Sequence, residues 1–380
     1  MSAACARFGH PERAFQAVHV AGTNGKGSVS AMLAAMLHAE GKRVGLYTSP
    51  HLCRFAERIR IAEAPIDDEL LVPLLEEVLD GAPELTFFEA ATLTAFLAFA
   101  RAGVEIAVVE VGLGGRLDAT NVLPSPLATA ITRIALDHIA QLGSSLASIA
   151  REKAGILKPG VPVVLGPIEG EALAEITGAA NETGATLVFA ERELDHPLLA
   201  EPMGLDGPHQ RDNAAIAISL AKLLGLRESA IAQGLRNVHW PGRLESLALP
   251  DGAYLLDAAH NPDGASSLAR ALRARSLDPK RVALLFGAMA DKDYPAMLNL
   301  LAPLAEHRVF VAPQGRTPAD PTMLAKTYGG TVAESVASGV RMARAAVGPE
   351  GLVVVAGSIF LVGEARAILL DIPRDPLIAL

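Results

Sequence analysis

Short apolar runs alternate along the chain with longer segments of helical periodicity. Residues 18–21 read as a buried strand that runs into a glycine-rich turn, and residues 28–40 then carry a helix. A second strand follows over 43–48, a helix over 88–102, and a strand over 104–111 whose only polar members are Glu105 and Glu110. Further strands are predicted over 127–134, 161–165 and 186–190, and the pattern restarts after Arg243 at 254–256, 281–286, 308–312 and 352–356. Strands this short and apolar, separated by helices, predict α/β architecture with parallel sheets covered on both faces. Trp240-Pro241-Gly242-Arg243 follows a helical stretch and carries a Pro-Gly breaker, so it marks the boundary. The expected domains are 1–240 and 246–380, with a hinge near 240–245.

Composition narrows the class. A chain of 380 residues accommodates two domains of about 150 residues with loop to spare. Aromatics are only 4%, so both cores must be built from Ala, Leu, Val and Ile. A net charge of −9 argues against nucleic-acid partners, which are held by Lys and Arg on phosphates. Cys5 and Cys53 are too far apart to make a disulfide framework or a metal-ligand spacing, which suits a reducing cytoplasm. The first residues include Arg7, His10, Glu12 and Arg13 and lack the apolar core of a signal peptide. Apolar segments are broken by charge, Gly or Pro, so no membrane span is expected.

The strongest local signal is Gly22-Thr23-Asn24-Gly25-Lys26-Gly27-Ser28 between a strand and a helix. Glycines let backbone N–H groups turn around phosphate oxygens, the helix N-terminus adds a favourable dipole, and Lys26 can reach the outer phosphates. The general P-loop spacing is not kept: Val20 stands where that pattern has its first Gly, and Gly27 separates Lys26 from Ser28. A lysine inside such a turn still favours phosphate binding over a plain β–α connection.

Residues 19–28 resemble the phosphate loop of the folylpolyglutamate synthases, which group with the muramyl peptide ligases. The resemblance continues in family order through Thr48-Ser49-Pro50-His51-Leu52, residues 110–121, Leu136-Asp137-His138 with Leu142-Gly143, and residues 151–156. In the second half it takes in His209-Gln210 with Asn213, residues 240–243, residues 257–262 and Asp291-Lys292-Asp293. It implies a P-loop NTPase-like first domain with a mostly parallel sheet, and a smaller Rossmann-like second domain. Two departures stand out: a curtailed N-terminal helix, and Ala258 where many relatives have Gly.

The resemblance also implies a chemistry. The acid, a dihydropteroate or a folate, is phosphorylated by ATP, and the amine of L-glutamate displaces phosphate, leaving ADP. Ser49 and Glu110 match ligands of a first Mg²⁺, and His138 and Lys153 ligands of a second, with Lys153 carbamylated. On the residues alone, Glu110 is equally an ordinary strand-end acid, His138 a surface group, and Lys153 a helix-surface cation paired with Glu152. Thr86, Phe88 and Asp118 match contacts to the pterin, although Phe88 also reads as core and Asp118 as a turn acid. Asn213, Arg243, Asp257 and His260 match ATP contacts, the last two with Lys26 and Lys153 as catalytic groups, and the cleft between domains is the expected site. Ser358 is a weaker candidate for positioning glutamate, and Asp291-Lys292-Asp293 reads better as a solvated charge run. The block at 116–119 looks like that of bifunctional bacterial enzymes, and a monomer is expected. Rival readings are a folylpolyglutamate synthase alone, a muramyl peptide ligase, a P-loop kinase and a non-catalytic nucleotide-binding regulator. The muramyl ligase is disfavoured because the chain opens directly on the ATP loop with no UDP-binding domain. Intact Lys26, Glu110, His138 and Lys153 disfavour the regulator.

Overall fold

The computed structural model describes residues 1–190, 195–315 and 317–376. The chain divides into two compact units. The first takes in residues 1–51, 55–204 and 210–239, and the second residues 52–54, 205–209 and 240–380. Two short segments that precede residue 240, 52–54 and 205–209, therefore belong with the second unit.

The first unit is built on eight strands: β1 (Gln16–Ala21), β2 (Val44–Tyr47), β3 (Ile59–Ile61), β4 (Ala64–Pro65), β5 (Ile106–Glu110), β6 (Ala128–Ile131), β7 (Pro162–Leu165) and β8 (Thr186–Phe189). Their order is β4-β3-β2-β5-β1-β6-β7-β8. All neighbours from β2 to β8 run parallel. The sheet is therefore mostly parallel, as expected, with β3 and β4 added antiparallel at one edge. The central strands β1, β5 and β6 are almost wholly buried, which explains their unbroken apolar sequence. The helix Lys26–Ala39 returns from β1 toward β2 and is buried along most of its length at Val29, Met32, Leu33, Met36 and Leu37. Its many alanines suit close packing, and cutting Leu33 to Ala would cost about 2–5 kcal/mol through lost burial and the cavity left behind.

The second unit carries β9 (Glu245–Leu249), β10 (Gly252–Asp257), β11 (Val282–Phe286), β12 (His307–Phe310), β13 (Thr331–Val332) and β14 (Leu352–Ala356). The order is β13-β12-β11-β14-β10-β9, parallel except for β9 on β10. Val353, Val354 and Val355 are fully buried between helices such as Pro262–Ala274 and Val336–Val347. Glu245 is also buried, and both of its oxygens lie 3.0 Å from Arg366 Nε. No described helix is long and apolar enough to cross a membrane.

Candidate active site

The C-terminal ends of β1, β5 and β6 meet in register, with Val20 opposite Glu110 and Ala21 opposite Ile131. Open α/β sheets place ligands at such ends. Beyond β1, Gly22 has φ +149° and Gly25 φ +89°. A Cβ at Gly22 would stand 1.9 Å from Thr132 Oγ1, and one at Gly25 2.4 Å from Asn213 Oδ1, so both positions require glycine for space as well as for backbone. The segment after β6 pins this loop. Thr132 Oγ1 donates to the Asn24 carbonyl at 2.7 Å, and the Thr23 amide donates to the Arg133 carbonyl at 2.6 Å. Thr23 Oγ1 donates to the Ala135 carbonyl and accepts the Ala135 amide, each at 3.1 Å. The Val29 amide makes the first bond of the helix, to the Gly25 carbonyl at 2.9 Å. The amides of Lys26, Gly27 and Ser28 therefore lie in the first turn, where a helix has no acceptor of its own and presents positive potential.

Lys26 Nζ is 3.8 Å from Glu110 Oε1 and 3.3 Å from the Thr23 carbonyl. The other Glu110 oxygen accepts the Ser49 amide at 3.2 Å. The glutamate is buried, so the alternative of a solvent-facing strand-end acid does not hold. Ser49 just beyond β2, Glu110 at the end of β5 and Lys26 at the start of the helix after β1 thus come to one place.

Lys153 lies in the last turn of the helix Leu146–Ala154 and is only 5% exposed. It is not a surface lysine paired with Glu152; that acid instead binds Arg116, at 2.9 Å. Among the described residues no hydrogen-bond or ion-pair acceptor is found for the Lys153 ammonium. Burial, reinforced by the charge of Lys26, lowers its pKa to about 7 against the opposing pull of Asp137 and Asp118. Asp137 is itself buried, accepts the His138 amide at 2.8 Å, and lies 3.9 Å from His138 Nε2. His138 holds a left-handed backbone at φ +50° and is partly exposed.

The loop over 112–121 is tightly tied. Asp118 accepts the Leu113 amide at 2.8 Å and the Thr120 amide at 2.9 Å, and its Oδ1 lies 2.5 Å from Thr120 Oγ1. Its carboxyl is the N-cap of the turn Ala119–Val122, the turn-acid role that the sequence also offered. Desolvation raises its pKa, partly offset by these hydrogen bonds. Thr86 is exposed and caps the helix Phe87–Arg101 in a reciprocal box with Glu89. Phe88 packs on the adjoining core, its ring 6.1 Å from that of Tyr47 and against Gly112. Local structure therefore accounts for Thr86 and Phe88 without a ligand. Asn213, on the helix His209–Leu223, places its side chain against Gly25.

In the second unit, Asp257 ends β10 and is buried, its two oxygens accepting the amides of Leu244 at 2.9 Å and Ala259 at 3.0 Å. It holds Leu244 in a left-handed conformation at φ +47°, next to Arg243, whose Nη1 reaches the Gly242 carbonyl at 3.3 Å. His260 Nδ1 sits 2.9 Å from the Ala258 carbonyl. Ala258 does not have positive φ, so its methyl carries no backbone strain. Ser358 is buried and caps the helix Ile359–Leu370 through the Phe360 amide.

Sequence reasoning missed Thr132, Asp137 and the pair His19–Thr120 as parts of this arrangement. A threonine just beyond a predicted strand end was the available sign for Thr132. Asp137, His19 and Thr120 lie within the blocks that carry the family resemblance but were given no role there, because their side-chain partners are set by the folded chain.

The Mur ligase middle domain model matches residues 20–192, and the Mur ligase glutamate ligase domain model matches residues 242–359. A Bacillus subtilis dihydrofolate synthase/folylpolyglutamate synthase is 35% identical over 95% of this chain and 92% of its own. This chain belongs to the dihydrofolate synthase/folylpolyglutamate synthase family of Mur-type ligases. A Haloferax volcanii relative, named "Probable bifunctional folylpolyglutamate synthase/dihydropteroate synthase", is 37% identical over 94% of this chain, which spans about half of that protein's length, 46%. The structure of Escherichia coli FolC in complex with DHPP and ADP superposes with a TM-score of 0.88 at 32% identity, covering 97% of this chain and 92% of that one. The fold and the family follow from these matches. Arg243, Asp257, His260 and Ser358 fall within the matched glutamate ligase domain, whereas Asn213 lies outside both matched stretches.

Proposed function

We propose that this chain ligates L-glutamate to a pterin acid with conversion of ATP to ADP and phosphate, using both dihydropteroate and the γ-carboxyl of folates. The observation that carries this reading is the convergence of a phosphate-shaped loop, Lys26, Glu110 and the buried Lys153 at one end of the first sheet. The E. coli relative was solved in complex with DHPP and ADP, which supports a nucleotide site and a second small-molecule site on this fold. The proposed assignment gives residues 1–240 to ATP binding and 246–380 to the glutamate ligase domain.

The residues fit two Mg²⁺ ions of the phosphate-assisted kind. No group of three His, Cys, Asp or Glu side chains among the described residues forms a cage. Mg²⁺ does not need one, since it commonly takes one or two protein oxygens and completes its shell with phosphate oxygens and water. Ser49 and Glu110 would hold one ion. His138 and a carbamate on Lys153 would hold the other, and CO₂ adds only to a neutral amine, which a pKa of about 7 provides. When bound, these ions neutralise charge on the transferring phosphoryl group.

The chain's own groups perform the rest. Gly22 to Ser28 seat the outer phosphates against the open helix turn, and the Lys26 ammonium draws charge from the γ-phosphoryl group as it moves to the acid carboxylate. The products are ADP and an acyl phosphate. The glutamate amine then attacks the acyl carbon, the C–N bond forms, the C–O bond to phosphate breaks, and the amine proton is lost. The roles of Thr86, Phe88 and Asp118 toward the pterin, and of Asn213, Arg243, Asp257, His260 and Ser358 toward ATP or glutamate, rest on the family resemblance. The test is isotopic: acid labelled with ¹⁸O in its carboxylate must deliver one ¹⁸O to the released phosphate. Unlabelled phosphate alongside amide product would refute the acyl phosphate route.

A further inference from the structure

His19 lies within β1 just before the phosphate loop and is fully buried. Burial, with a smaller push from the charge of Lys158, takes its pKa down to about 3, so the ring is neutral. Its Nε2 is 2.8 Å from Thr120 Oγ1, while Nδ1 has no hydrogen-bond partner among the described residues. Thr120 is itself fully buried, and its Oγ1 is 2.5 Å from Asp118 Oδ1. Asp118 also accepts two backbone amides, and its Oδ1 is the acceptor of the Thr120 hydroxyl. A threonine hydroxyl has one proton, and here it is donated to Asp118 Oδ1. The threonine oxygen must therefore accept from the ring, which places the imidazole proton on Nε2.

We infer that His19 is a positioning residue for the acid substrate: through Thr120 it fixes the rotamer of Asp118 and so the shape of the loop over 112–121. The second anchor of that loop is Lys158, whose Nζ donates to the Asn121 carbonyl at 3.2 Å. A buried histidine with an unpaired nitrogen costs stability. A leucine of similar size would fill the strand position without that cost, and what it would lack is the donor to Thr120. The chain His19 to Thr120 to Asp118 links the strand that carries the phosphate loop to the acid loop in one hydrogen-bonded path. The inference rests on the proposed placing of the acid at Asp118.

The test uses the full chain with His19→Leu, Thr120→Val, the double variant, His19→Gln and Thr120→Ser. Two readouts are taken: amide hydrogen exchange at positions 113 and 120 without ligand, and steady-state kinetics with dihydropteroate, ATP and glutamate. His19→Leu and Thr120→Val should each speed exchange at both amides and raise KM for the acid roughly five- to tenfold, as expected for one hydrogen bond. The double variant should be no worse than either single. KM for ATP and kcat should hold, and His19→Gln and Thr120→Ser, which keep the donor and the hydroxyl, should restore both readouts. Thr120→Val keeps the test alive if His19→Leu does not fold. Unchanged exchange, or additive losses in the double variant, would overturn the inference. Faster exchange with an unchanged acid KM supports the anchor and overturns instead the placing of the acid at this loop.

Discussion

Replacing Lys153 with methionine should stabilise the unliganded protein, and most strongly at low pH. Methionine keeps the length of the side chain and removes the charge. The lysine pKa falls from 10.5 to about 7 in the folded chain. At about 1.4 kcal/mol per pH unit, holding the charged form there costs on the order of 5 kcal/mol. The folded pKa lies below the unfolded one, which sets the sign. Below pH 7 both states carry the proton and the full penalty weighs on the native state. Between pH 7 and 10.5 the unfolded state binds more protons, so wild-type stability rises with pH and the penalty fades. Urea unfolding followed by circular dichroism from pH 6 to 9.5, in CO₂-depleted buffer, should show Lys153→Met ahead by several kcal/mol at pH 6, on the order of the full penalty. That lead should shrink steadily as the pH rises. Adding bicarbonate should stabilise wild type at the alkaline end and leave the variant unchanged. A variant less stable than wild type at pH 6, or a difference that does not vary with pH, would refute the buried, unpartnered amine on which the carbamate depends.

Lys26→Ala should leave the fold intact and lower ligation by roughly 10²–10³-fold, because it removes the ammonium beside Glu110 that meets the moving phosphoryl charge. Near wild-type turnover in a folded variant would remove the phosphate-loop assignment. Thr86→Ala should cost about 1 kcal/mol of stability through loss of the helix cap. If its acid KM also rises well beyond that of an Ala replacement at another exposed cap, such as Ser335, Thr86 has the substrate role as well as the cap. Arg366→Met should destabilise the second unit by about 3 kcal/mol, since Glu245 is left buried with, among the described residues, the Gly242 amide as its hydrogen-bond donor. A denaturation midpoint unmoved from wild type would mean that water replaces the arginine.

Much of this arrangement was legible from residue order. The apolar runs at 18–21, 104–111 and 127–134 announced the three central strands, because a strand buried on both faces cannot alternate. The phosphate loop announced itself by glycines placed where a side chain would collide with Thr132 or Asn213. The edges were not legible. Ala64–Pro65 and Thr331–Val332 are two-residue strands with exposed side chains, and so carry no hydrophobic pattern. Lys153 was ambiguous because it follows Arg151 and Glu152, whose charges suggest a solvated helix face; only packing shows that its own position turns inward. The turn role of Asp118 is not decided by sequence because its amide partners are set by the loop's conformation, not its composition. His19 was hidden in the strand pattern, where a neutral buried imidazole reads as one more apolar residue.

The central claim is tested most directly by incorporation of labelled L-glutamate by the purified chain, with ATP and Mg²⁺, into dihydropteroate and tetrahydrofolate in separate reactions. The account predicts labelled amide product from both acids, with one ADP and one phosphate formed per glutamate joined. Phosphate release that needs no glutamate, or no labelled product from either acid, would contradict it.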